Sequence, residues 1–261
     1  MFDGAETPLL HLQIRHSIVF RILTLRSAER HQLKQDQFAV KTQETIDWAS
    51  LHQKQLAYWI GGAAIIVVLA VAGFYYQQRR EQTGSALLSE GLEQFSATLR
   101  PAGVPAQPGE TSFASAAERS KAASSKFLEV TQKYNHTDAG TLAKYFLGLS
   151  AEDVKDNAKA EEYLKDVAGS SNKDAAGLAK AALAALYHDE GRDNDAINLY
   201  QELINKPSNT VSKATAQLRL AEIYETKDPA QAKKIYTDIV KDKDNPDQIV
   251  SMANTRMGAI K

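Results

Sequence analysis

Cysteine is absent from all 261 residues, which excludes disulfide staples, a thiol nucleophile and cysteine-ligated zinc together. Net charge of one sign is also lacking, because 31 Lys and Arg stand against 32 Asp and Glu. Binding to phosphate backbones needs clustered cations, so nucleic acid is not an expected partner. The six histidines, His11, His16, His31, His52, His136 and His188, form neither an HExxH motif nor an i, i+4 pair. No GxSxG elbow and no phosphate-cradling glycine loop occurs. No catalytic residue, cofactor or metal site is therefore expected, and the chain does not read as an enzyme. His188, Asp189 and Glu190 adjoin one another but read as a solvated helix end. Glu161-Glu162 and the pair Asp242 and Asp244 likewise read as surface charge.

What the chain does have is one long uncharged run. Leu56 to Tyr76, LAYWIGGAAIIVVLAVAGFYY, contains no Asp, Glu, Lys or Arg. A helix rising about 1.5 Å per residue covers the ~30 Å core of a bilayer over this length. Tyr58 and Trp59 at one end and Phe74, Tyr75 and Tyr76 at the other stand where aromatic rings favour the membrane interface. The run reads as a single transmembrane helix over 56–76. A buried core helix fits it less well, given the aromatics at both edges. Ala70-Val71-Ala72 resembles a signal-peptide cleavage site, but the leader before the run is too long and the run itself too extended for a signal peptide. Gly61-Gly62 lacks the spacing of a GxxxG packing motif. Lys41 and Lys54 on one side balance Arg79 and Arg80 on the other, so flanking charge does not orient the span.

The span divides the chain into a leader, 1–55, and a long segment, 77–261. The leader is polar and partly ordered. Its few apolar anchors are Leu33, Phe38, Ile46, Trp48 and Leu51, too thin a set to fold alone. Ile18 to Arg26 has the composition of a short basic surface element. Beyond the span the pattern is helical throughout, with Gly84 to Arg100 first and then a loop at PAGVPAQPGETS. Further helices are expected over 113–134, 140–153, 157–168, 174–190, 194–205, 211–225, 229–241 and 246–261. Asp193 and Asp228 stand as candidate N-caps, the second followed by Pro229. No strand signal competes, so the fold class is all-α.

Superposing these segments exposes a period of 36 to 37 residues. Leu147-Gly148, Leu183-Ala184 and Leu220-Ala221 align, followed by Ala151, Tyr187 and Tyr224. One helix later Ala160, Ala196 and Ala232 align, each followed four residues on by Leu164, Tyr200 and Tyr236. Small residues recur where helices approach closely and large ones where the next helix covers them. This pattern resembles the tetratricopeptide repeat, matched nearly in full by ALAALYHDEGRDNDAINLYQELINKP with Gly191 at its turn and Pro207 near its end. Ala151 departs from it by replacing the aromatic. Ala123 and Phe127 match the second helix of an earlier copy whose first helix would be 84–100, and Met257-Gly258 would begin a capping helix. The resemblance implies a tetratricopeptide-like α-solenoid of helical hairpins over the ectodomain.

The order of parts, a polar leader, one span and a divergent repeat domain, resembles the YfgM-type family of ancillary SecYEG translocon subunits. That similarity implies a bacterial inner-membrane protein with a cytoplasmic N-terminus and a periplasmic C-terminal domain. It also implies an accessory role in secretion or membrane insertion. The expected partners are other proteins, namely translocon subunits, periplasmic chaperones or client chains, and the lipid bilayer through 56–76. The alternative is a structural organiser or tether with one fixed partner. Groove positions of the repeat family carry over to Leu142, Tyr145, Leu149 and Glu152; to Leu178, Ala181, Ala185 and His188; and to Thr215, Leu218, Glu222 and Glu225. Such a surface would be apolar in its middle and acidic along one side, suited to peptide segments with apolar and basic residues.

Overall fold

The computed structural model describes residues 48, 51–101, 103–105 and 109–260. The surface element at 18–26 and the leader anchors Leu33, Phe38 and Ile46 lie outside the described residues. The chain separates into two units, 1–73 and 74–261.

The first described helix, α1, runs over Gln53–Phe95 without a break. The sequence pattern separates a span from a helix beginning at Gly84; in the structure the two are one helix, because 77–83 (QQRREQT) holds no proline or glycine to stop it. In the first unit α1 is long and apolar enough to cross a membrane, and its apolar window is wholly exposed. Just before it, the Trp48 and His52 rings stack with centroids 4.8 Å apart.

In the second unit the last turns of α1 pack against α2 (Ala116–Lys133). Leu88 is buried with Phe127, Val130 and Ala143 in one core cluster, and Gly91 lets the Phe127 ring lie against the α1 backbone. The intervening loop is closed by two short strands, β1 (Thr98–Leu99) and β2 (Ser112–Phe113), paired in parallel. The sequence pattern shows no strand there. Two residues per strand are too few to show the alternation by which a strand is read from sequence.

The remaining helices are α3 (Asp138–Asp153), α4 (Asn157–Ala168), α5 (Lys173–Asp189), α6 (Asp193–Asn205), α7 (Lys213–Lys227), α8 (Pro229–Lys241) and α9 (Asp247–Ala259). Each helix from α2 to α8 packs on the one after it, the arrangement of stacked hairpins. Side-chain caps start most of them: Ser115, Thr137, Asp156, Asn172, Ser212 and Asp228 each accept from a backbone N–H in the first turn. Asp228 caps α8 with Pro229 behind it, as the sequence suggests. Asp193 does not cap α6. It is the first helical residue, and its carboxylate is held by His188 at 2.5 Å and Lys227 at 2.9 Å.

The repeat positions form the core. Ala123, Ala160, Ala196 and Ala232 are fully buried, as are Phe127, Leu164 and Tyr236, and Tyr200 is nearly so. At Gly148 a Cβ would lie 2.8 Å from Leu164 Cγ, so only the missing side chain lets α4 approach α3 this closely. The turns repeat as well. Lys155 and Gly191, 36 residues apart, both adopt left-handed backbone with φ of 64° and 76°. The next N–H in each case, Asp156 or Arg192, donates back to Ala151 or Tyr187 at 2.8 and 2.7 Å, closing the helix end.

Candidate functional site

The first helices of successive hairpins, α3, α5 and α7, carry the positions that the repeat pattern marks as groove-forming. From α5, Leu178, Ala181, Ala185 and His188 lie one to two turns apart along one stripe, and from α7 so do Thr215, Glu222 and Glu225. These seven line a single groove of about 690 Å³, together with Tyr200 of α6, Arg219 and Ile223 of α7, and Arg256 of α9. Leu218 does not join them. It is 2% exposed and packs in the core. On α7 the groove stripe steps from Thr215 to Arg219, four residues on, and Leu218 falls one residue short of that stripe, toward the core.

The α3 set lies apart from this groove. Leu142 and Tyr145 are half-buried and pack against the main core cluster, with the Tyr145 ring edge-on to Phe146 at 5.2 Å. Leu149 is also half-buried. Burial raises the Tyr145 hydroxyl above its ordinary range, with Glu152 adding to it. Glu152 is itself raised, first by burial and then by the nearby carboxylates of Asp189 and Asp153. Acidic groups therefore gather where α3 and α5 end, as the sequence suggests.

On α7 the acidic edge is partly neutralised. The Arg219 guanidinium donates to Glu222 at 2.9 Å. Arg256 stands 3.4 Å from Glu222 and 3.5 Å from Glu225. Tyr236 donates its hydroxyl to Glu225 at 2.6 Å. The sequence held a local signal for Arg219, three residues before Glu222 on the same helix. It held none for Arg256, which comes from α9, more than 30 residues along the chain. Tyr200 lies nearly buried beneath the groove, its hydroxyl pushed up to about 12 by burial. The groove thus has an apolar floor from Leu178, Ala181, Ala185 and Ile223, and a rim of fixed charges. It offers no activated nucleophile; what it can do is hold a side chain or a short stretch of another polypeptide.

A family model for the tetratricopeptide repeat-like domain matches residues 52–203, from the start of the apolar helix through the hairpin of α5 and α6. No curated protein and no solved structure matches the chain. Domains of this kind are typically non-catalytic modules that bind other proteins. With more than half of its residues matched and its helices stacked as hairpins, the chain belongs to the tetratricopeptide repeat-like domain family.

Proposed function

We propose that this protein is a membrane-anchored interaction module, an accessory subunit of a secretion or membrane-insertion translocon that takes client or chaperone chains into the groove between α5 and α7. The groove carries this reading: its floor is apolar, and Glu222 and Glu225 on its rim can exchange the guanidinium of Arg256 for a basic side chain of an incoming segment. The apolar part of α1, 56–76, serves as the anchor, with Tyr58 and Trp59 at one interface and Tyr75 and Tyr76 at the other. All four are well exposed. Anchoring raises the local concentration of a weak groove near the exit of a channel. In this reading the N-terminus is cytoplasmic and residues 77–261 face the periplasm of a bacterial inner membrane, as in the YfgM-type arrangement that the order of parts resembles.

The test is a photo-crosslinking amino acid at Ala185, which is exposed and lines the groove. Crosslinking in intact membranes followed by mass spectrometry should capture translocon subunits and many different chains. Capture of one stable neighbour alone would refute the client role and identify a structural organiser. Ala185 suits this purpose better than Tyr145 or Leu149, because polar replacement at Tyr145 also disturbs the core it packs against.

A further inference from the structure

The three aligned hairpins do not fill the same space. Where α5 carries Leu186 and Tyr187, and α7 carries Ile223 and Tyr224, α3 carries Ser150 and Ala151. Leu186 and Ile223 are fully buried, and Tyr187 nearly so. The Tyr187 ring lies 3.8 Å from the Arg192 guanidinium, and its hydroxyl donates to Glu161 at 2.9 Å. In the α3 hairpin the corresponding place is an open cleft of about 350 Å³ between α2, α3 and α4, walled by Leu128, Leu147, Ala151, Val154 and Tyr163. That volume lies within the ~300–1,000 Å³ of small-ligand clefts.

We propose that this cleft is a docking site for an aromatic side chain presented by an acidic segment of a partner protein. The chain itself shows which group fits, since a phenol ring occupies the equivalent position in both following hairpins. Ser150 supplies an independent sign. It lines the cleft at 1% exposure, and its hydroxyl has no hydrogen-bond partner among the described residues. A buried hydroxyl in that state costs free energy until something provides a partner. Leu128 and Val154 form exposed apolar lips at 40% and 45%, which extends the contact beyond a single ring, as a chain segment requires. The rim favours acidic flanks. Lys121 makes no ion pair among the described residues, and Lys159 shares its charge with Asp156 alone, at 3.0 Å. Two ammonium groups against one carboxylate leave the rim net positive. The site is separate from the groove between α5 and α7 and does not depend on the reading given to that groove.

The full-length protein in detergent micelles is titrated into a fluorescein-labelled peptide bearing one tyrosine between glutamate pairs, read by fluorescence anisotropy. The same peptide with alanine for tyrosine, or with lysine for glutamate, should bind at least about tenfold more weakly. Ala151→Tyr fills the cleft from within as the other hairpins do; it should raise the melting temperature and weaken the tyrosine peptide about tenfold. Leu128→Glu alters only an exposed lip and should weaken it to a similar degree. Equal binding of the tyrosine and alanine peptides would overturn the proposal, as would unchanged binding by both variants.

Discussion

Glu161 offers the sharpest test of how the hairpins are joined. Its carboxylate on α4 accepts from Lys165 at 2.6 Å, from Arg192 at 3.0 Å and from the Tyr187 hydroxyl at 2.9 Å. It thereby ties α4 to both α5 and the start of α6. Lys165, then Arg192 and Tyr187, hold it at about 2, against an ordinary 4.5. A shift of that size corresponds to about 3 kcal/mol in full. The Glu161 side chain is only 23% exposed, but those of Lys165 and Arg192 are 57% and 38% exposed, and solvent screening reduces the contribution to about 1–2 kcal/mol. Because the folded-state pKa is depressed, this stability is fully present above the unfolded pKa and is lost as pH falls through the folded one. Glu161→Gln should therefore lower urea-unfolding stability by about 1–2 kcal/mol at neutral pH. The gap between wild type and variant should hold steady down to about pH 5, close progressively below 4.5 and vanish near 2. Far-UV circular dichroism across a pH series measures it directly. A gap at pH 7 smaller than about 0.3 kcal/mol, or one that persists unchanged in acid, would refute the assignment of Glu161 as the charged tie.

Gly148→Ala should lose about 1 kcal/mol in the same assay, because a methyl 2.8 Å from Leu164 Cγ overpacks the α3/α4 contact by more than the helix gains from alanine. Gly191→Ala, at φ of 76°, should cost about 1 kcal/mol. Lys155→Gly at the equivalent turn, φ of 64°, should gain up to about 1 kcal/mol, and the two melting temperatures should move in opposite directions. For topology, a single cysteine at Asp244, in the exposed turn between α8 and α9, should react from outside spheroplasts; reaction only after lysis would remove the periplasmic orientation. Ser208 suits this less, being half-buried with its hydroxyl accepting from the Val211 N–H.

The groove shows how far local pattern reaches. Ala181, Ala185 and Glu222 were legible because a helix repeats its faces every few residues, and a repeat protein shows the same faces three times. Leu218 goes to the core because the groove stripe of α7 passes through Arg219 between Thr215 and Glu222, and one residue along a helix turns a side chain by about 100°. Arg256 was invisible because its partners Glu222 and Glu225 lie on another helix, and no spacing rule connects α9 to α7. The cleft beside Ser150 was legible in part: the alignment marks a ring missing at Ala151, and only the packing of α2, α3 and α4 shows that none of the described residues fills its place. Serine and alanine in an apolar stripe are unremarkable by themselves and mark a missing ring only when set against Tyr187 and Tyr224.

The sequence by itself determined what depends on near neighbours: an uncharged run of membrane length, helical segments broken at short polar turns, the cap at Asp228, and a period of 36 to 37 residues that stacks them as hairpins. Those features follow from hydrophobic spacing and backbone chemistry within a few residues. Tertiary structure alone decided that Arg192 and Arg256 neutralise carboxylates from other helices, and that the place of the ring missing at Ala151 stays an open cleft. Those outcomes depend on how helices distant in sequence approach one another, and that approach is set by the packing of the whole array.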